Sequence, residues 1–360
     1  MLTVKEKLRY NRQIILPELG EEGQHKLKKA KVLVIGAGGL GCPALYYLSA
    51  AGVGNIGVID DDTVDVSNLH RQIMYNESDI GKEKALCVKE KITQFNPNTE
   101  VNVYPKKLSI DNALHLIKHY DIVLDGSDNF ATRYLVNDAC VILKKPFVYG
   151  AVFQFNGQVS VFNFKGGPTY RCLFPEPPTE GTMPSCSEAG VIGVLPGIIG
   201  SYQASEVIKL ITGIGKPLSG QLFMIDLRTN FSQTIKFKLT PKNLEIKKLK
   251  ENYSIQSCDL ERALLEITPF ELKSWLNEEK NIIQLIDVRE KEEFEAYNIG
   301  GVNIPLSKLD QNIKQVLPSK KIVICCQSGT RSKLAQARLT KTFPKTEIYN
   351  LSGGINSFIG

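Results

Sequence analysis

Near the end of the chain a cysteine opens a short glycine-containing loop, Cys326-Gln327-Ser328-Gly329-Thr330-Arg331, between the apolar run KIVI and the helix-like KLAQARL. In a strand–loop–helix setting the backbone N–H groups of such a loop converge on one point at a helix N-terminus, a nest that favours a thiolate and cradles an anion. A persulfide and a phosphate both suit it, and the spacing alone does not choose. Cys325 precedes the loop, should point the other way along the strand, and reads as a buried structural thiol.

A second constellation lies at the front. Gly36-Ala37-Gly38-Gly39-Leu40-Gly41 satisfies G-x-G-x-x-G after KVLVI, and Asp60 closes the next apolar run, NIGVID. Glycines there let backbone approach a phosphate, the helix N-terminus attracts its charge, and Asp60 suits ribose hydroxyls. Alone, the pattern suits NAD or FAD as well as any other nucleotide. The residues beyond Asp60 do not suit a redox cofactor. Asp60-Asp61-Asp62-Thr63-Val64-Asp65-Val66-Ser67-Asn68-Leu69-His70-Arg71-Gln72 gathers acids, an amide and an arginine, Lys84 comes soon after, and Ser127-Asp128-Asn129 ends another strand-like run. Carboxylates for Mg2+ with Arg and Lys to clamp phosphates are what nucleotidyl or phosphoryl transfer needs.

The elements that must position these groups alternate. KVLVI, NIGVID, DIVLDGSDN and PFVYGAV read as buried strands, with helical segments such as LVNDACVIL between them. That alternation predicts an α/β fold, a Rossmann-like domain on a mixed, mostly parallel sheet. FNGQVSVFNFKGG reads as strand with an Asn-Gly turn, and 167–190, rich in Pro, Gly, Ser and Thr, as a long loop of the length that is usually functional or disordered. The Lys-rich stretch after FKLTP marks a boundary: residues 1–242 form one domain, 243–264 a linker, and 265–360 a small second α/β domain. Its start carries Thr268-Pro269-Phe270-Glu271, an N-cap, a first-turn proline and a capping-box glutamate. IIQLIDVR, GVNIPL, KIVICC and EIYNL supply its strands.

Composition excludes several classes. The 360 residues are 42% apolar and 23% charged with a formal net charge of +6 and no basic stripe interleaved with aromatics, which argues against nucleic acid as ligand. The longest apolar stretch, AGVIGVLPGIIGSYQ, is broken by glycines and a proline and is too short for a bilayer. The N-terminus lacks a signal-peptide core, and the eight cysteines are scattered, which fits a reducing cytoplasm. His25, His115 and His119 read as helix-surface residues and His70 as a solvated neighbour.

From LRYNRQIILPELG to about residue 240 the chain resembles the molybdopterin-synthase adenylyltransferase family (MoeB/ThiF-like), within the ubiquitin-activating superfamily. GAGGLG, D-x-D-x-V-x-x-S-N-L-x-R-Q from Asp60 to Gln72, SDN, TRYLVNDAC and CSEAGVIG carry the likeness. The resemblance implies an ATP-using enzyme that adenylylates the C-terminal Gly-Gly of a small β-grasp sulfur-carrier protein. It implies that Gly39 and its neighbours bind phosphate and Asp60 ribose, with Asp62 and Ser67 in the same nucleotide-binding block. Asn68, Arg71 and Lys84 then surround the triphosphate, and Asp128 holds Mg2+ beside Asn129. Arg12 in RYNRQ reaches the partner subunit's nucleotide, so a homodimer is implied. Cys186, in PSCSE, stands where relatives place a loop cysteine able to bond covalently to the carrier. Most relatives hold a structural zinc with two C-x-x-C pairs; here Thr169-Tyr170-Arg171-Cys172 offers one cysteine and FKLTPKNLEI none, so no zinc is expected.

Residues 265–360 resemble rhodanese sulfurtransferases through Asp287-Val288-Arg289, Gly300-Gly301-Val302-Asn303-Ile304-Pro305-Leu306, the cysteine loop and Leu351-Ser352-Gly353-Gly354-Ile355. Phosphatase relatives have a loop one residue longer, so the resemblance favours sulfur: Cys326 bears the persulfide, Gly329 and Arg331 shape its loop, and Asp287 and Arg289 brace it. The combined expectation is carrier adenylylation and then attack of the Cys326 persulfide on the acyl-adenylate, with Cys186 or an external thiol releasing the thiocarboxylate. An upstream persulfide donor such as a cysteine desulfurase is implied. The carrier serves molybdenum cofactor biosynthesis or, alternatively, thiamine synthesis or tRNA thiolation. Two other readings, an NAD- or FAD-dependent oxidoreductase fused to a sulfurtransferase and a catalytically dead scaffold, sit poorly with Arg71, Lys84, Asp128 and the intact cysteine loop.

Overall fold

The computed structural model describes residues 1–177, 190–253, 265–278, 282–318 and 320–359. It divides into two compact units, Met1–Gln256 and Ser257–Gly360. In the first, β1 (Lys31–Ile35), β2 (Asn55–Ile59), β3 (Glu100–Tyr104), β4 (Ile122–Asp125), β5 (Phe147–Phe153), β6 (Asn156–Phe162), β7 (Gln221–Asp226) and β8 (Phe231–Lys236) form one sheet. Its order is β3-β2-β1-β4-β5-β6-β7-β8. Pairings from β3 through β5 are parallel and the rest antiparallel.

KVLVI is a continuous apolar run because helices cover both faces of the sheet there. Val32 and Val34 enter one core with Ile56, Val58 and Leu124, while Leu33 and Ile35 enter the other with Ile59, Phe147 and Tyr149. Each fully buried side chain of this kind contributes about 1.5–3 kcal/mol.

The turn in FNGQVSVFNFKGG is not at Asn-Gly. Phe153 pairs with Asn156 and Val152 with Gly157, so the loop is Gln154-Phe155, with Gln154 at φ +53°. Gly157 belongs to β6 for a packing reason: a Cβ there would collide with Ile199 of the helix Val194–Thr212. The stretch read as the start of a linker packs on the first unit, where the buried Tyr253 donates its hydroxyl proton to Asp138 Oδ2 at 2.8 Å.

The second unit is an all-parallel sheet of β9 (Leu265–Ile267), β10 (Ile283–Asp287), β11 (Val302–Asn303), β12 (Lys321–Cys325) and β13 (Ile348–Leu351), ordered β11-β10-β12-β13-β9. Thr268 caps the helix Pro269–Glu278: Glu271 N donates to Thr268 Oγ1 at 3.2 Å and Thr268 N to Glu271 Oε2 at 2.8 Å. Cys325 packs with Leu285 and Val323 on one face, Cys326 with Ile286 and Ile324 on the other, as strand alternation requires.

Candidate functional site

In the first unit the chain runs from β1 outward to β2 and β3, then returns to place β4 on the other side of β1. A crevice opens at such a switch point beyond the C-terminal strand ends. Gly36 leaves β1 with φ +88°, and a Cβ there would lie 3.0 Å from Gly126 O. Only glycine fits that turn. The helix Gly41–Ala51 then starts, aiming its first-turn N–H groups at the crevice.

The crevice is a cavity of about 680 Å³. Gly36, Gly38, Gly39, Asp60, Asp62, Ser67, Asn68, Arg71, Lys84, Asp128 and Asn129 all line it. Gly41 sits behind it, where a Cβ would strike Gly36 O. Arg12 does not line it; it is exposed on the short helix Asn11–Ile14. Cys186 lies outside the described residues.

Local chemistry holds the lining in place. The Asp60 carboxylate accepts Ala37 N at 2.7 Å and Asp62 N at 2.9 Å, tying the glycine loop to the end of β2. Burial raises its pKa above the ordinary carboxylate value, and those bonds and Lys84 offset only part of the rise. Lys84 is buried at the start of the helix Lys84–Phe95 and reaches Asp62 Oδ2 at 2.8 Å. Asp65 accepts Ser67 N at 2.8 Å and caps the helical turn Val66–Asn68. Arg71 Nη1 donates to Ser67 O at 2.9 Å. Asn129 accepts Thr132 N at 2.9 Å and is the N-cap of the helix Phe130–Leu143.

Sequence reasoning missed Lys106, Lys107 and Pro196 in the lining, and it quoted Gln72, Thr132 and Arg133 within motifs without giving them a role. Arg133 is the most consequential. It is buried, donates from Nη2 to Ser127 O at 3.1 Å, and lies 5.3 Å over the Tyr149 ring. A signal existed, since Arg133 sits one helical turn beyond the Asn129 cap and must fold back over the same loop. Lys106 and Lys107 come just after β3, a strand whose polar sequence hid it.

In the second unit β12 delivers Cys326 into a loop that ends at the helix Thr330–Thr342. Gly329, at φ +94°, turns its N–H onto the sulfur at 3.2 Å. Ser332 N lies 3.4 Å and Ser332 Oγ 3.3 Å from the same sulfur. Two backbone N–H donors thus face Cys326 Sγ, and the Ser332 hydroxyl stands beside it while donating to Gly329 O at 3.0 Å. Arg331 turns aside, forming a two-pronged pair with Glu293 at 2.6 and 2.8 Å. That pairing holds the Glu293 carboxyl down to about 2. Arg289 is fixed by Asp287 and donates from Nη1 to Gln327 Oε1 at 3.1 Å, bracing the loop. Cys325 is buried, and burial pushes its thiol up.

Known proteins match both units. The ThiF family matches residues 10–246 and the rhodanese-like domain residues 268–360. A probable adenylyltransferase/sulfurtransferase MoeZ of Mycobacterium tuberculosis is 42% identical over 98% of this chain and 93% of its own length. The adenylyltransferase and sulfurtransferase MOCS3 of Culex quinquefasciatus is 38% identical over 99% of this chain and 88% of its own. A sulfur carrier protein adenylyltransferase of Thermus thermophilus is 55% identical over 63% of this chain and 86% of its own. Among solved structures, E. coli MccB superimposes with a TM-score of 0.59 at 22% identity, covering 65% of this chain and 73% of MccB. At that identity the likeness speaks for the fold.

Proposed function

The chain belongs to the ThiF family and carries a rhodanese-like domain at its C-terminal end, and from that premise we propose that it activates and then sulfurates a small β-grasp carrier protein. The first unit binds ATP, and the carrier's C-terminal Gly-Gly carboxylate attacks the α-phosphorus, releasing pyrophosphate and leaving an acyl-adenylate. A carboxylate is a poor electrophile; a mixed anhydride with AMP as leaving group is a good one. Arg71 and Lys84 stabilise the charge that develops on the phosphates, an effect of about 2.7–4 kcal/mol for a well-placed group. The glycine loop and the helix start behind it receive phosphate, and Asp60 receives ribose. Mg2+ fits Asp128, whose carboxylate is exposed on the cavity wall, because that ion takes one or two carboxylates together with substrate phosphates. Bound there, it would draw negative charge from the phosphates.

The second unit supplies the sulfur. The terminal sulfur of a Cys326 persulfide attacks the acyl carbonyl and expels AMP, forming an acyl disulfide. A second thiol, Cys186 or an external one, attacks the Cys326 sulfur. That releases the carrier as a thiocarboxylate and leaves a disulfide on Cys326, which a further thiol reduces. A sulfur donor of the cysteine-desulfurase class reloads Cys326. Arg12, exposed and apart from its own cavity, supports a homodimer in which it serves the partner's nucleotide. The described cysteines are all free thiols, in keeping with a cytoplasmic protein. Among the described residues no helix is long and apolar enough to cross a membrane. We favour a carrier of the molybdenum-cofactor type; a thiamine or tRNA-thiolation carrier would use the same chemistry.

The observation that carries this reading is the gathering of the glycine loop, Asp60, Arg71, Lys84 and Asp128 around one cavity in a chain that also points two backbone N–H donors at Cys326. ATP–pyrophosphate exchange with purified protein and a panel of carriers ending in Gly-Gly tests the first half. Exchange that depends on one carrier is expected, and its absence with every carrier would refute adenylylation. Cys326→Ala tests the second half: exchange persists and thiocarboxylate formation from a persulfide donor stops. Thiocarboxylate formed at the wild-type rate by that variant would remove Cys326 from the mechanism.

A further inference from the structure

The zinc implied by the family resemblance has a definite place in this fold, and the chain has filled that place differently. Thr169 and Cys172 flank the start of the short helix Tyr170–Leu173, and Thr240 and Asn243 bracket the turn beginning at Pro241. Both pairs have the spacing of C-x-x-C, and the fold brings them together although they lie far apart in sequence. They meet at one sulfur. Cys172 Sγ lies 3.3 Å from Thr240 N, 3.4 Å from both Thr169 N and Thr169 Oγ1, and 3.5 Å from Asn243 Nδ2. As a donor set for zinc this fails: one thiol stands with two threonines and an amide, where a structural site takes four Cys or His ligands.

We propose that this protein replaces the zinc of its relatives with a metal-free clasp, in which Cys172 Sγ, held by Thr169, Thr240 and Asn243, fastens residues 240–243 to residues 169–172. Burial alone would raise the Cys172 thiol; the hydrogen bonds from Thr169, Thr240 and Asn243 outweigh it and leave the pKa lowered. A sulfur so surrounded accepts hydrogen bonds from both segments, which is the cross-linking a zinc ion would perform. A second hub stands next door. The buried Asp138 accepts Arg171 Nε at 2.7 Å, Arg171 Nη2 at 2.8 Å and Tyr253 OH at 2.8 Å. Arg171 and Cys172 are adjacent, so the two hubs together tie residues 240–253 to the same short helix. The clasp is independent of the proposed reaction, because it is read from metal content and stability.

The test uses the full chain. Zinc is measured by mass spectrometry after incubation with zinc and desalting, and thermal unfolding is followed with and without EDTA. Wild-type protein is expected to carry no zinc and to unfold at the same temperature in EDTA. Cys172→Ala should lower the transition of the first unit by roughly 2–4 °C, the response of a domain this size to about 1 kcal/mol. The combined variant Thr169→Cys, Thr240→Cys and Asn243→Cys should take up one zinc per chain and become sensitive to EDTA. One zinc per wild-type chain whose removal lowers the transition would overturn the proposal. So would an unchanged transition in Cys172→Ala, or a triple variant that binds no zinc.

Discussion

Replacing Lys84 with Met separates a structural ion pair from a group that stabilises charge on the nucleotide. The Lys84 side chain is 5% exposed while its partner Asp62 is 68% exposed. With one partner in water, the pair contributes about 0–1 kcal/mol to stability. Met keeps the buried stem of the side chain and removes only the ammonium, so the unfolding temperature should fall by no more than roughly 2–4 °C. The catalytic loss is of another size. A preorganised cation facing the charge that develops during displacement at phosphorus is worth about 2.7–4 kcal/mol, or 100- to 1,000-fold in rate. Carrier-dependent ATP–pyrophosphate exchange should therefore fall by that factor in Lys84→Met. Asp62→Asn keeps the ammonium and loses only its tether, so it should lose far less, and Lys84→Arg should fall between, since a planar fork does not occupy the place of a point charge. A folded Lys84→Met that exchanged close to the wild-type rate would refute the assignment and leave Lys84 as a partner of Asp62 alone.

Three further outcomes are expected. Ser332→Ala removes the hydroxyl 3.3 Å from Cys326 Sγ, which can turn from Gly329 O onto a charged sulfur, and because a hydrogen bond to a charged group is worth about 1.5–3 kcal/mol, sulfur loading of Cys326 should slow by about tenfold or more; mass spectrometry of the persulfide checks it. Glu293, depressed in the folded state from 4.5 to about 2 by Arg331, contributes stability that is complete above about pH 4.5 and lost as the pH falls toward 2. Both side chains are more than one-third exposed, so the contribution is capped at about 1 kcal/mol, and urea titrations of Glu293→Gln should show that acid slope gone. If Arg12 serves the partner's nucleotide, mixing Arg12→Ala with Lys84→Met subunits should restore exchange that neither variant shows alone; no recovery after verified subunit mixing would place Arg12 outside the reaction.

What could be read in advance was what depends on short spacing. KVLVI, NIGVID and PFVYGAV declared themselves because strands covered on both faces need unbroken apolar runs. β3, written EVNVY, did not, since it lies at the sheet edge and carries polar residues. β8 is exposed along its whole length and leaves no apolar run to find. The same division holds in the cavity. The glycine loop and the block from Asp60 to Gln72 are each contiguous, so their chemistry is visible as a string. Pro196 and Lys106 reach the cavity from distant elements, and only tertiary packing selects them. Thr240 and Asn243 are harder still: threonine and asparagine near a proline read as an ordinary turn until Cys172 is placed against them.

Two cysteines stand where a strand passes through a loop into a helix, and their geometry explains why one is read as a sulfur carrier and the other is not. Cys42 is the second residue of the helix Gly41–Ala51, a position that by dipole alone should favour a thiolate. Its Sγ instead donates to Ala37 O at 3.3 Å, and complete burial pushes the thiol up to about 12. Cys326 is equally hidden, yet its sulfur faces the N–H of Gly329 and both the N–H and the hydroxyl of Ser332. The difference is the direction of the hydrogen bonds. A helix start filled with glycines brings its N–H groups to a ligand's phosphate and leaves the local thiol a carbonyl to satisfy. A loop that wraps its own N–H groups around a cysteine turns those donors onto that sulfur instead. On the proposed function the chain uses one strand–loop–helix device twice, first for a phosphate that arrives with the nucleotide and then for a sulfur that belongs to the protein.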